Sequence, residues 1–380
     1  MAHEAIEGQH ARPGEGIGFW VVGFLLLVIV PTLNVLPSTD SVFHISDFAL
    51  NRFGKFLAFG ILALGLDLIW GYTGILSLGH GVFFGLGAYA LGMHLMLNIG
   101  SESVYGSALP DFMVWNQVKE LPLFWVPFYS FTVAVLGAVL IPTAFALIFG
   151  FLAFRSRIRG VYFAIITQAL ALCAWLVFNR NETNVGGTNG LTDFKSILGF
   201  RLSQPGTQLG LYVLTVLCLG GAFLLCRWII RSRTGKVLVA IRDSEQRVLF
   251  SGYSPANYKL FVFVVSAALA GLAGALYVPQ VGIITPAQIG VLPSLEMVIW
   301  VAVGGRGTLT GAVIGAVGVN WARSVLTNYF PELWPFFLGG LFVAVVLLFP
   351  DGFVGLARQV RERWLSGSFG FRKKVPATEP

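Results

Sequence analysis

Ten apolar stretches, each near the length that a helix needs to cross a bilayer, follow one another along this chain and leave little room for anything else. A span takes about 20 mostly apolar residues. Candidates fall at 17–36, 54–70, 77–98, 128–154, 160–178, 208–230, 259–279, 293–304, 308–327 and 333–350. In hydrocarbon every backbone amide must find its partner inside the protein, so such stretches fold as helices. The expected class is therefore all-α, a polytopic integral membrane protein of eight to ten transmembrane helices. Only 11% of residues are charged, against about 25% in soluble domains. The block of roughly 100 mixed-polarity residues that a soluble catalytic domain needs is missing.

The first stretch lacks a small-residue cleavage pattern and reads as a retained anchor rather than a signal peptide. The stretches at 293–304 and 308–327 are short and meet at Gly304-Gly305-Arg306-Gly307. A broken or re-entrant segment is expected there, near 304–307. A second is expected near 71–81, where Gly71, Gly74, Gly79 and Gly81 interrupt a helix rather than line one. This run loosely echoes Trp300 to Gly311, which leaves an internal repeat open.

Lysine and arginine set the direction of threading. With the N-terminus inside, the inner segments carry eighteen of the 25 basic residues and the outer segments six, Arg52 and Lys55 among them; Arg323 falls inside a span. Both termini are then cytoplasmic. The chain divides into a cytoplasmic tail at 1–16, a transmembrane domain at 17–350 and a second cytoplasmic tail at 351–380. Segment 231–258 faces the cytoplasm, and the loops 99–127 and 179–207 face outward.

Segment 231–258 is the most informative loop. Val237, Ile241, Ser244 and Val248 recur at steps of four, three and four, which predicts a short amphipathic helix. Asp243 and Arg247 stand at i and i+4 in the favourable order. Gly252 suits a C-terminal cap, with Pro255 just beyond it. A basic amphipathic helix of this kind serves a docking partner or lies in the headgroup layer; the residues alone leave both open.

Small residues at Gly81 and Gly85, at Gly311 and Gly315, and at Ala267, Gly271 and Ala275 favour close helix contact. Intramembrane charges are confined to Asp67, Glu296 and Arg323. Each costs about 2.5–3.5 kcal/mol at mid-span, and all three are expected in structural or interfacial roles, with no proton relay. His80 is expected as a helix-end hydrogen-bonding partner. The chain has no phosphate-binding loop, nucleophile elbow or zinc-protease pair, the five histidines form no metal-ligand cluster, and the three cysteines lie in apolar stretches. No catalytic centre is read from these residues.

Three blocks carry a resemblance. Leu62 to Ala90 (LALGLDLIWGYTGILSLGHGVFFGLGAYA), Gly235 to Leu276, and Gly304 to Ala316 (GGRGTLTGAVIGA) resemble permease subunits of the branched-chain amino acid class of ABC importers, in the same order. Within that class, 109–125, 154–170, 186–200 and 277–286 look like the urea-type permease. The resemblance implies that Val237, Ile241, Arg242, Asp243, Glu245, Arg247, Val248 and Gly252 couple to an ATPase. It implies a solute path for urea or a similar small amide, with Thr73, Gly74, Ser77, His80, Thr167 and Gln168 as polar candidates. No cofactor is expected in this chain, ATP and Mg being bound by two partner ATPase subunits. A second homologous permease subunit and a periplasmic solute-binding protein complete the assembly in a bacterial inner membrane, with lipid and no nucleic acid as further partners. The alternatives are a branched-chain amino acid permease of the same class and a stand-alone channel or secondary carrier for small amides.

Overall fold

A computed structural model describes residues 21–37, 41, 43–156, 158, 160–348 and 352–355. The tails at 1–16 and 356–380, with their basic residues, lie outside the described residues. Eleven helices carry the fold among the described residues: α1 (Val21–Val35), α2 (Asp47–Thr73), α3 (His80–Leu97), α4 (Phe131–Arg155), α5 (Val161–Phe178), α6 (Pro205–Arg231), α7 (Arg233–Phe250), α8 (Pro255–Val281), α9 (Val291–Gly304), α10 (Leu309–Tyr329) and α11 (Trp334–Leu348). Seven of them, α2 to α6, α8 and α10, are long and apolar enough to cross a membrane; α1, α9 and α11 are apolar but shorter. The polytopic all-α class stands. Its short members fall where the sequence is most interrupted.

The two 27-residue helices α2 and α8 form the spine. They run antiparallel in contact along their length, Gly65 meeting Ser266, Phe59 meeting Tyr277 and Gly54 meeting Gln280. Both end the same way: Gly74 caps α2 at φ 76° and ψ 4°, and Gly282 caps α8 at φ 78° and ψ 4°. Glycine takes this left-handed conformation without the penalty of a Cβ. A non-helical segment follows each cap, and then a shorter apolar helix, α3 or α9. A glycine cap, an interruption and a shorter helix thus recur in α2–α3 and α8–α9.

Helix α3 is the core of the bundle: its span is 94% buried, against 22% for α4 and α5, which turn apolar faces outward. Glycines let it sink that deep. A Cβ on Gly274 would collide with the Phe84 carbonyl, and one on Gly87 with the backbone of Gly271. Gly271 is itself pressed against Ala138 and Pro142 of α4. The Gly311 and Gly315 pair seats α10 on Gly304 and Trp300 of α9, as the spacing predicts. Gly81 and Gly85 instead accept the loop after α8 and the first turn of α9, lying against Ile289 and Ser294.

The end of the bundle holding Gly74, Arg306 and α7 is called here the basic end, and the opposite end the loop end. At the loop end Leu191–Thr192 (β1) pairs antiparallel with Ile283–Ile284 (β4), and Ser196–Ile197 (β2) with Phe200–Arg201 (β3). Gly186, Gly187 and Gly190 all take positive φ to make this turn, and Trp125 Nε1 donates to the Asn184 carbonyl at 2.9 Å. The 99–127 and 179–207 loops are thus fastened to each other and to the break after α8.

Because helices in lipid are held by close packing rather than by exclusion from water, filling the α3–α8 crossing should be far costlier than filling a lipid-facing site. Gly274→Leu should lower the melting temperature of the solubilised protein by several degrees or block its insertion, since overpacking against backbone costs about 1–3 kcal/mol or more. Gly220→Leu, where a Cβ meets open space, should leave the melting curve unchanged.

Candidate functional site

At the C-terminal turn of α2 the Gly74 amide caps the Trp70 carbonyl at 3.1 Å, the carbonyls beyond it lack intrahelical donors, and two arginines from elsewhere in the chain reach this turn. Arg306, in the turn between α9 and α10, donates from Nε and Nη2 to the Trp70 carbonyl at 3.2 and 3.1 Å and stacks over the Trp70 ring at 4.9 Å. Arg242 of α7 donates from Nη1 to the Gly71 carbonyl at 2.9 Å. Both cations sit at the negative end of the helix dipole. In return Asp67 Oδ1, one turn earlier on α2, accepts from the Gly307 amide at 2.7 Å. Gly71 is required at this crossing, because a Cβ there would collide with Asp67 and Gly307. Three elements distant in sequence are therefore clamped on one helix end.

Beyond Gly74 the chain stays non-helical through Gly79. His80 restarts a helix level with Gly65, which lies eight residues, or about 12 Å, back along α2 from its end. Non-helical backbone this deep needs protein partners, and it has them. The Leu78 amide donates to Thr167 Oγ1 at 2.9 Å, and Gly79 lies directly on the Thr167 backbone. Ser266 Oγ gives its proton to the Gly65 carbonyl at 2.6 Å, so His80 Nε2 donates to that hydroxyl at 2.6 Å. Nδ1 of the neutral ring then accepts from Ser77 Oγ at 2.9 Å. The break is narrower than the glycine run: Gly71 lies within α2 and Gly81 within α3.

The path candidates divide accordingly. Ser77, His80 and Thr167 meet around the break and are buried. Gly74 caps it. Thr73 Oγ1 bonds the Ile69 carbonyl of its own helix. Gln168 is half-buried on α5, next to Thr167.

The coupling candidates also divide. Ile241 is buried, Arg242 holds Gly71, and Glu245 pairs with the buried Lys259 of α8 at 2.8 Å; these three fasten α7 to the bundle. Val237, Asp243, Arg247 and Val248 instead line an open groove of about 370 Å³ with Ser244 and Tyr253. The groove exists because α7 is bent. Ser244 adopts φ −161° and ψ 98°, which splits the segment into two short helices. That bend corrects one expectation: Asp243 pairs with Arg242 at 3.4 Å and not with Arg247, since i,i+4 register does not survive a non-helical residue. Gly252 takes φ 82° just past the second helix.

Sequence reasoning missed Arg306, Trp70 and Lys259 as working residues. A lone arginine among three glycines was the available signal for the first. It placed Glu296 and Arg323 in structural roles, and they pair with each other at 2.6 Å.

The family described as "Branched-chain amino acid transport system / permease component" matches residues 48–346. The chain belongs to that family. Relatives include the high-affinity branched-chain amino acid transport system permease protein LivM of Salmonella typhimurium, 26% identical, with 78% of this chain and 68% of the relative covered. The LivM protein of Escherichia coli is 25% identical over the same shares. The permease protein BraD of Pseudomonas aeruginosa is 22% identical over 83% of this chain and 97% of its own. No solved structure matches the chain.

The clamp predicts a local stability effect. Arg306→Ala and Arg242→Ala should each speed amide hydrogen exchange across 72–79 about tenfold, the loss of roughly 1.4 kcal/mol expected for a partly exposed hydrogen bond to a charged group. Arg306→Lys should not rescue, because a single ammonium cannot reproduce the paired nitrogens and the ring stacking. Unchanged exchange in all three would show that the arginines hold nothing.

Proposed function

We propose that the chain is a permease subunit of an ATP-driven importer of branched-chain amino acids, placed in a bacterial inner membrane with its basic end and both termini in the cytoplasm. The family match over 48–346 carries this reading. The bias of basic residues supports the orientation. Partner ATPases supply ATP hydrolysis with Mg, a second permease subunit supplies the other half of the path, and a periplasmic binding protein delivers the solute at the loop end.

The groove at the bend of α7 is the docking face in this reading. Val237 offers apolar contact, while Asp243 and Arg247 set orientation through charge complementarity. Force applied there reaches α2 through Arg242 and α8 through Glu245 and Lys259. The broken segment 74–79, fixed to α5 by Thr167, is the first part of the transmembrane path to feel it.

The urea-type expectation rests on four segments, three of which have another physical reason. Segment 186–200 makes the glycine turn and strand that hold the break after α8, and 277–286 is the strand it pairs with. Trp125, at the end of 109–125, ties the two loops together. The relatives are branched-chain amino acid permeases by name, which favours the amino acid reading.

Deleting this subunit should abolish micromolar uptake of labelled leucine and leave urea uptake intact, while the chain expressed without partners should import neither. Loss of urea uptake with leucine uptake retained would restore the small-amide reading; uptake by the lone chain would make it a channel or carrier. A tag near residue 245 should be accessible only from the cytoplasm and one near 190 only from outside.

A further inference from the structure

Near the loop end a narrow groove of about 140 Å³ opens between α2 and α10, lined by Ala49, Arg52, Phe53, Phe56 and Trp321. Steps of three, one and three along α2 place the first four on one face of that helix. Phe56 is buried, whereas Phe53 and Trp321 stand exposed. Arg52 is the one charged residue in the lining.

Helix geometry sets the depth of this groove. The 27 residues of α2 span about 40 Å, against a hydrocarbon core of about 30 Å. With the core centred on α2, about 5 Å of helix projects at each end. Arg52 lies five residues from Asp47, about 7.5 Å in. A helical side chain leans toward the N-terminus of its helix, so the guanidinium reaches back to the headgroup boundary while its stem stays in apolar surroundings. Phe56 lies one turn deeper.

At that boundary Arg52 has no counter-ion among the described residues. Its Nη1 donates to Ser324 Oγ of α10 at 3.0 Å, and its guanidinium lies 4.8 Å from the Phe48 ring centroid. Asp47 instead accepts from Asn34 Nδ2 at 3.0 Å, and Glu296 pairs with Arg323 at 2.6 Å. A guanidinium carries five N–H donors, and Ser324 takes one. Lys55, half-buried and three residues on, adds a second cation to this end of α2.

We propose that the groove holds one anionic phospholipid from the leaflet at the loop end. Its phosphate sits on Arg52, whose planar fork matches phosphate oxygens, and the upper part of one acyl chain lies along Phe53, Phe56 and Trp321. A free phosphate would satisfy the guanidinium but leave the apolar groove empty. An apolar helix from another chain would fill the groove but leave the guanidinium without an anion. A zwitterionic headgroup brings an ammonium of its own to compete for the phosphate, so a net negative one is favoured. The lipid bridges α2 and α10, whose opposite ends meet at the clamp. The site depends on the chain crossing a membrane and not on the solute it carries.

The test uses the complete transporter in phosphatidylcholine vesicles with a trace of phosphatidylglycerol that carries a diazirine on one acyl chain. After illumination the labelled residues should centre on 49–56 and Trp321. Excess unlabelled phosphatidylglycerol should suppress that label at least tenfold, while equal phosphatidylethanolamine or soluble glycerol 3-phosphate should leave most of it. Arg52→Gln should cut the label at least fivefold. Ala49→Phe, which fills the groove and keeps the guanidinium, should do the same, and Arg201→Gln on the exposed β3 should change nothing. Mapping and competition use the native chain, so they decide the matter even where a variant fails to assemble. Label spread evenly over the lipid-facing helices, no label at 49–56, equal competition by phosphatidylethanolamine, or displacement by glycerol 3-phosphate would each overturn the proposal.

Discussion

Two guanidinium groups on the last carbonyls of one helix hold the working end of this permease together. A helix end in a membrane protein must satisfy its free carbonyls with protein or water, and α2 does so with the Gly74 cap together with Arg306 and Arg242. The choice has a structural consequence. Arg306 belongs to the turn between α9 and α10, and Arg242 to the helix α7 outside the bundle. Without Arg242 the Gly71 carbonyl loses its donor, and without Arg306 the Trp70 carbonyl keeps only the Gly74 amide.

The rest of the architecture distributes that constraint. Segment 74–79 climbs from the clamp toward the middle of the bundle, and Thr167, Ser77, His80 and Ser266 take up its polar groups as it goes. From the other end, the loop after α8 leads into α9, whose first turn meets α3: Ser294 Oγ accepts from the Gly81 amide at 3.1 Å. The two breaks thus converge on the first turn of the most buried helix. Glycine at 81, 85, 87 and 274 makes the convergence possible, because each side chain omitted there is room for another backbone.

Much of this was legible in the sequence. Apolar runs gave the helices, the glycine cluster at 71–81 gave the first break, and Gly252 and Pro255 marked the end of α7, whereas the break after α8 was not read. What was not legible depended on contacts between elements far apart. Nothing local says that Glu296 will meet Arg323, or that Arg242 will reach back to Gly71. Arg52 and Lys55 read as loop charges because a span was sought in uniformly apolar residues, whereas α2 begins at Asp47 and carries both within its first turns. The Asp243–Arg247 pair failed for a different reason: the spacing assumes an unbroken helix, and Ser244 departs from helical geometry.

The central claim is that the docking segment and the broken segment move as one body, joined by Arg242. Spin labels at Ala240→Cys and Leu76→Cys, in the assembled transporter with Cys173, Cys218 and Cys226 replaced, would report the distance between them by electron–electron dipolar spectroscopy. The account predicts the same distance distribution with ATP bound and without nucleotide, and a broadened one in the Arg242→Ala background. A shift between nucleotide states by more than a helical turn, about 5.4 Å, with Arg242 intact would show that the two segments separate during transport and that the clamp does not transmit force.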